Sequence, residues 1–355
     1  MLQPTAPGRQ AAYQRARRQR KRQAAAATTA FGRLPVPRYS QDSRTLPPES
    51  TAFDAQNFAT AGSGHWIGRR VREANIPKRK GRKGRWRGKT RLRKQHRLRE
   101  LKELLEEGYQ YIDWDGRNPL FILDHAGRII TIFVGTPDDP AWPAITEDAV
   151  AELERARRRG MRSGAFSEDD TSHRRGTFAV FTDGVFYGGG QMVGLHRHRS
   201  FVILTCAMAN FAPKLYREYA ATMQALFDHH PSLQRNFSNS VFPAASLNCG
   251  PETATFEHCD FNNIPHGLCG ITCGGKFDHK KGAHLYLKQL KLVVEFPSGS
   301  SALIPSGAVD HGNTPLQPGD TRCSITQYAA GGLFRWVKYG FKTAKQLLAE
   351  DGGRN

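Results

Sequence analysis

Downstream of Pro231 the chain breaks into short strand-like runs that follow one another too closely for crossover helices. The runs are residues 241–248, 252–260, 268–273, 283–287, 291–296, 300–305, 308–312 and 321–328, divided by Gly, Pro, Asn and Asp. FPSGSSALIP contains a Pro-Ser-Gly turn and QPGD at 317–320 another. Parallel neighbours need a dozen or more connecting residues, which these gaps lack. The pattern therefore predicts antiparallel pairing in a jelly roll or barrel, not a parallel α/β sheet.

The rest of the chain supplies flanking helices. Leu98, Leu101, Leu104 and Leu105 line one face of a helix expected from about Leu92 to Gly108. PLFILD (119–124) and RIITIFV (128–134) read as a hairpin turned at Gly127. Residues 144–159 read as a helix with a charged outer face, and 161–176 as a loop. TFAVFTDGVFYGGGQ begins as a strand, and its triple glycine, Gly188 to Gly190, reads as a turn because no helix clearly follows. PKLYREYAATMQALFDHHP (213–231) is the clearest helix: Pro213 suits its first turn, and Leu215, Tyr219, Met223 and Leu226 share a face. The expected class is mainly β with flanking helices (α+β).

Charge divides the chain. Residues 1–100 hold 26 Lys+Arg against 5 Asp+Glu, whereas residues 101–355 hold 26 against 27. A basic arm (1–100) thus precedes a nearly neutral body (101–345) and a short tail (346–355). Residues 1–65 are rich in Ala, Arg, Gln, Pro and Ser without periodicity and read as disordered. RARRQRKRQ (15–23) reads as a transient basic helix or a nuclear import signal. Residues 69–99 carry 16 Lys+Arg and one acid, Glu73. Such a run repels itself without a counterion. Lys78, Arg79, Lys80, Arg82, Lys83, Arg85 and Arg87 are expected to contact phosphates, with Trp86 able to stack on a base. The partner class is nucleic acid, DNA before RNA, and the expected location is the nucleus. The acid-free, Arg-rich start keeps a mitochondrial presequence as the alternative. No secretory signal and no run of 18 apolar residues is present, so no membrane partner is expected.

The six cysteines, Cys206, Cys249, Cys259, Cys269, Cys273 and Cys323, form no C-x-x-C pair. They read as buried small residues in a reducing compartment, against a disulfide framework or a zinc finger.

The chemistry-bearing residues fall in the β-rich half. His258 and Asp260 are two apart in an expected strand, so both side chains leave one face. His311 follows 53 positions after His258, Arg322 comes 11 later, and Ser324 shares its face. Two histidines and a carboxylate are the ligands of the iron(II) facial triad, which leaves metal positions open. An arginine just beyond the distal histidine suits a keto-acid carboxylate through two parallel hydrogen bonds. Each residue also has a blander reading. A lone His-x-Asp is more often a surface pair, and Arg322 alone could be a core ion-pair partner. His266, His279 and His284 lie nearer than His311, which is preferred for the strand before it and the Arg-x-Ser after it. A His2Asp zinc site for hydrolysis is the rival metal. His229 and His230, at the end of a helix, read as favourable C-terminal charges.

The order H-x-D, distal H, R-x-S is similar to that of the Fe(II)/2-oxoglutarate dioxygenases. NFSNSVFPAASLNCGPETATFEHCDFNNIPHGLCGITCGG, LKLVVEFPSGSSALIPSGAVDHGNTPLQPGDTR and SITQYAAGGLFRWVKYGF resemble a large fungal family related to the TET/JBP enzymes. WDGRNPLFILDHAGRIITIFVG fits that family's amino-terminal hairpin, and the likeness runs from about Tyr111 to Thr343. The resemblance implies a double-stranded β-helix with His258, Asp260 and His311 as iron ligands. It also implies that Arg322 holds the distal carboxylate of 2-oxoglutarate, with Ser324 completing the pair. The cofactors implied are Fe(II), 2-oxoglutarate as co-substrate, and O2. The implied reaction is oxidation of a methylated base, 5-methylcytosine or thymine, in nucleic acid, with the base flipped out of a duplex.

Three other readings stand beside it. The same chemistry could act on a protein or on RNA. A basic arm before a jelly roll also describes a nucleic-acid-packaging coat protein, which would need no His-x-Asp…His…Arg set. A dioxygenase fold kept only for binding DNA would not need intact ligands.

Overall fold

A computed structural model of the chain describes residues 43–46, 97–124, 126–166, 168–187, 190–192, 202–235 and 240–350. Its strands are β1 (Arg44–Leu46), β2 (Gln110–Ile112), β3 (Leu120–Leu123), β4 (Ile129–Gly135), β5 (Ala179–Phe186), β6 (Gly190–Met192), β7 (Ala244–Cys249), β8 (Cys269–Lys276), β9 (Leu285–Leu287), β10 (Leu292–Val294), β11 (Ser301–Ile304), β12 (His311–Asn313) and β13 (Thr321–Tyr328). Its α-helices are α1 (Leu101–Glu106), α2 (Trp142–Ser163), α3 (Glu168–Thr171), α4 (Val202–Phe211), α5 (Pro213–His229), α6 (Gly331–Lys338) and α7 (Ala344–Glu350).

Nine strands form one sheet in the order β1-β3-β4-β11-β8-β13-β7-β5-β6, and four form a second in the order β12-β9-β10-β2. From β7 onward the chain passes between these sheets. It runs from β7 in the large sheet to an extended stretch beside β12, then to β8, and then to β9 and β10 in the small sheet. It returns through β11, crosses to β12, and ends on β13 in the large sheet. That winding is a double-stranded β-helix, the jelly roll expected from the spacing of the turns. The hairpin of β3 and β4 pairs antiparallel and joins β11 at the edge of the roll.

Two layers of apolar side chains hold it. Between the sheets lie Ile112, Leu120, Ile122, Phe133, Leu285, Leu287, Val294, Phe296 and Ile304. Helices α4 and α5 cover part of the large sheet through Leu204, Met208, Tyr219, Met223 and Leu226, packed against Ile132, Val134 and Leu303. Helix α2 lays Leu153 beside Leu247, Cys323 and Ile325. Each fully buried Leu or Ile contributes roughly 1.5–3 kcal/mol of transfer free energy.

The structure departs from the sequence expectations at several places, among them 161–176, expected as a loop, where α2 runs on to Ser163 and α3 forms. Residues 92–96 of the expected helix lie outside the described residues; from Arg97 on, the helix is only α1, because Glu100 is extended (φ −69°, ψ 147°). Arg97 and Arg99 instead reach forward to Glu103 and Glu107. Residues 252–260 are not a strand. Their backbone bonds scatter: Thr253 N–H to Arg322 O, Phe256 N–H to Arg175 O and His258 N–H to His311 O. Helix α4 escaped the sequence reading because VILTCAMANF is apolar all round and carries no 3.6-residue signal. His229 and His230, expected as C-terminal charges, instead pack against the aromatic side chains of the C-terminal segment. His229 stacks on Phe341 with centroids 3.6 Å apart, and His230 Nε2 accepts from Trp336 Nε1 at 3.0 Å. Arg44–Leu46, within the stretch read as disordered, pair in parallel with β3, the sheet edge offering open backbone groups. All six cysteines are free thiols, five of them buried. Among the described residues no helix is long and apolar enough to cross a membrane. The residues expected on phosphates, Lys78, Arg79, Lys80, Arg82, Lys83, Arg85, Trp86 and Arg87, lie outside the described residues.

Candidate metal and co-substrate site

His258 and His311 face each other across one backbone bridge. Each N–H donates to the other's carbonyl at 2.9 Å, and the rings lie 4.3 Å apart between centroids. Asp260 is brought in by a turn, not by strand alternation. Its N–H donates to Ser306 O at 2.8 Å, which aims the carboxylate back at the histidines. His258 Nε2 is 3.8 Å from Asp260 Oδ1, and His311 Nε2 is 4.0 Å from Oδ2. One ligand atom from each of the three lies within 4.8 Å of the others, the one such cluster found among the described residues.

Hydrogen bonding fixes the tautomers. His258 Nδ1 meets Phe256 O at 2.7 Å, and His311 Nδ1 meets Val309 O at 3.0 Å. A carbonyl only accepts, so each Nδ1 carries the proton and each Nε2 presents a lone pair to the cluster. That is how metal-binding imidazoles are oriented. Burial, then the neighbouring His311, pushes the His258 pKa down to about 3, so the ring stays neutral. Burial alone would raise Asp260, but the charged groups around it, Arg175 and Arg174 among them, outweigh it and hold the carboxyl below its ordinary value. Two imidazoles facing the cluster through Nε2 and a carboxylate are a fitting donor set for a divalent ion with open positions.

Arg322, Ser324 and Thr326 line the same cavity as the triad, together with Asn248, Asn313 and Arg175. They alternate along β13 with Cys323 and Ile325, which point to α2. Arg322 is buried; its Nη1 donates to Thr253 O at 2.6 Å. Its Nε has no partner, and among the described residues no carboxylate pairs with it. A buried guanidinium with a free donor and no counter-charge is a site for an anion. Asn248, opposite Ser324 in the β7–β13 register, donates to Ser324 Oγ at 3.0 Å. Asn313 accepts from Thr255 N–H and Oγ1 at 3.1 and 2.9 Å, tying the His258 segment to β12.

The structure thus brings together His258, Asp260, His311, Arg322 and Ser324. The rival histidines sit elsewhere. His266 pairs with Glu218 at 3.1 Å, His279 with Glu295 at 3.2 Å, and His284 Nδ1 meets Thr314 Oγ1 at 2.8 Å. Sequence reasoning missed Asn248, Asn313, Arg174 and Arg175. Asn248 becomes visible once β7 is registered against β13, whereas the arginines come from a loop with no periodic signal.

No family model and no curated protein matches the chain. Solved structures similar to it include NgTET1 in complex with 5mC DNA, at 12% identity and a TM-score of 0.36 over 65% of this chain and 91% of that one. OsALKBH1 is similar at 14% identity and a TM-score of 0.32, over 51% and 91%. A prolyl-4-hydroxylase from Pseudomonas putida is similar at 14% and 0.28, over 52% and 86%.

Proposed function

We propose that the chain is an Fe(II)- and 2-oxoglutarate-dependent dioxygenase of the fungal TET/JBP-like family, oxidising 5-methylcytosine or thymine in nucleic acid. One observation carries the chemistry: a three-ligand metal cluster and a buried arginine with a free donor share one cavity. Hydrolysis at zinc would leave that arginine without a task.

His258, Asp260 and His311 would hold the ion through two Nε2 atoms and a carboxylate oxygen. Bound iron supplies the redox chemistry, in which 2-oxoglutarate loses CO2 to give succinate and the two atoms of O2 go to succinate and to a substrate C–H. Arg322 binds the distal carboxylate, with Ser324 positioned by Asn248 beside it. The apolar walls, Ile271, Leu285 and Phe296, keep bulk water from the co-substrate chain.

The substrate reading is supported by the quoted sequence blocks and by the 26 basic residues among the first 100. The arm binds phosphates without reading sequence and directs the protein to the nucleus. The deciding experiment incubates the protein with Fe(II), 2-oxoglutarate and methylated or unmethylated duplex, then measures nucleosides by mass spectrometry. Oxidised 5-methylcytosine or thymine is the expected product. Succinate release stimulated by RNA or peptides but not by DNA would move the substrate.

The arm has its own test, in which Lys78, Arg79, Lys80, Arg82, Lys83, Arg85 and Arg87 are replaced by glutamine. This keeps Arg44 and Arg99 in place, which contact the body. DNA affinity should lose salt dependence by roughly 0.9 in log–log slope per phosphate contact removed. An unchanged slope would put the nucleic-acid surface on the body.

A further inference from the structure

One exposed feature beside the triad has no part in holding metal or co-substrate. Phe261 follows Asp260 and leaves 56% of its surface exposed, more than any other large apolar side chain among the described residues. Its turn is fixed, not loose. Asp260 N–H donates to Ser306 O, Asn263 N–H to Asp260 O, and Ile264 N–H to Ala329 O, at 2.8, 2.8 and 3.1 Å. Asn263 Nδ2 adds a bond to Ser306 Oγ at 3.0 Å. A ring held out in water by so many bonds is preorganised for a partner.

Arg174 connects this ring to the metal cluster. Its guanidinium lies 5.1 Å from the Phe261 centroid, its Nη2 is 3.4 Å from Asp260 Oδ1, and its Nη1 donates to Cys259 O at 3.1 Å. The Arg174 side chain is 47% exposed. The half-exposed guanidinium lies over the flat apolar ring and against the Asp260 carboxylate, so a cation and an aromatic ring are presented together. A nucleotide matches both, with the base on the ring and its phosphate on the guanidinium. A peptide could offer an aromatic ring, but no phosphate in register with it.

We propose that Phe261 and Arg174 form a stacking platform for a nucleotide flanking the base that enters the cavity. This rests on the nucleic-acid reading above and adds a place and a residue to it. The platform takes the neighbouring base of the same strand, leaving the cavity for the reacting one.

The test measures binding of the full chain to a labelled oligonucleotide carrying one methylated base. A matched set has a single abasic position on either side of that base. Phe261→Ala should weaken binding about 10-fold, within the range of one lost base–aromatic stack. Phe261→Trp should bind at least as tightly as the parent. With the abasic site at the platform position, parent and Phe261→Ala should bind alike. Anaerobic Fe(II) titration of each variant, followed by its visible spectrum, checks that the ligand cluster remains assembled.

Equal affinity of parent and Phe261→Ala for the intact oligonucleotide would overturn the platform alone. So would a penalty that persists on both abasic oligonucleotides. A parent protein that binds no oligonucleotide, or binds only peptides through Phe261, would overturn the nucleic-acid reading as well.

Discussion

The two ends of the cavity are built differently. Arg322 and Ser324 sit in an eight-residue strand paired on both sides, to β7 and to β8. His258 and Asp260 sit in an irregular segment, joined to β12 by the His258–His311 bridge and the Thr255–Asn313 contacts. The anion end is thus set by a ladder, where register alone fixes the side chains. The metal end is set by individual hydrogen bonds, and a bound ion would add a cross-link there. On the proposed function, the co-substrate would rest on a rigid floor, and metal loading would complete a less tightly woven rim.

The largest effect should come at the rim. His311→Ala removes one of three ligands and is expected to abolish the visible charge-transfer band of the Fe(II)–2-oxoglutarate complex under anaerobic conditions. The apo protein should keep its fold, since the ladder does not depend on the imidazole. If His284→Ala removes the band while His311→Ala keeps it, the distal ligand is misplaced.

At the floor, Arg322→Lys keeps the charge but loses the planar fork. It should weaken 2-oxoglutarate binding about 10- to 100-fold, read by titration of the Fe(II) protein, with metal affinity nearly unchanged. An equal loss of both would show that the two ends are not separable. Unchanged co-substrate affinity would remove Arg322 from the site.

A third effect, on stability and not on binding, concerns the small sheet that carries the rim. Burial lowers His284 from 6.5 to about 4. The folded state therefore holds it neutral where the unfolded chain would protonate it. Its stabilising contribution is complete above pH 6.5 and is lost as pH falls toward 4. The loss is about 2 kcal/mol at pH 5 and on the order of 3 kcal/mol below the folded value. Urea unfolding at pH 7 and pH 5 should show a smaller acid loss in His284→Asn than in the parent. Equal losses would place the acid sensitivity elsewhere.

Much of the fold was legible because short antiparallel strands announce themselves by turns. Seven of the eight expected strands after Pro231 are present, within a few residues of their expected bounds. The exception is 252–260, the segment that carries two of the three proposed ligands. Its residues have strand-like spacing, but its partners are scattered, and no local pattern encodes them. Asp260 reaches the histidines because of Ser306, 46 positions away, and not because it lies two residues from His258.

The sequence by itself determined the identity and order of His258, Asp260, His311, Arg322 and Ser324, the jelly-roll class, and the division into basic arm and neutral body. These are properties of residue type, turn spacing and charge, which need no partners. Tertiary structure decided which nitrogen of each histidine is free, because that depends on the carbonyls of Phe256 and Val309. It also decided that Asn248 faces Ser324, that Arg322 is buried with a free donor, and that Arg174 joins Phe261 to Asp260. Each of those facts rests on contacts between distant segments, and long-range contacts exist only once the chain has closed on itself.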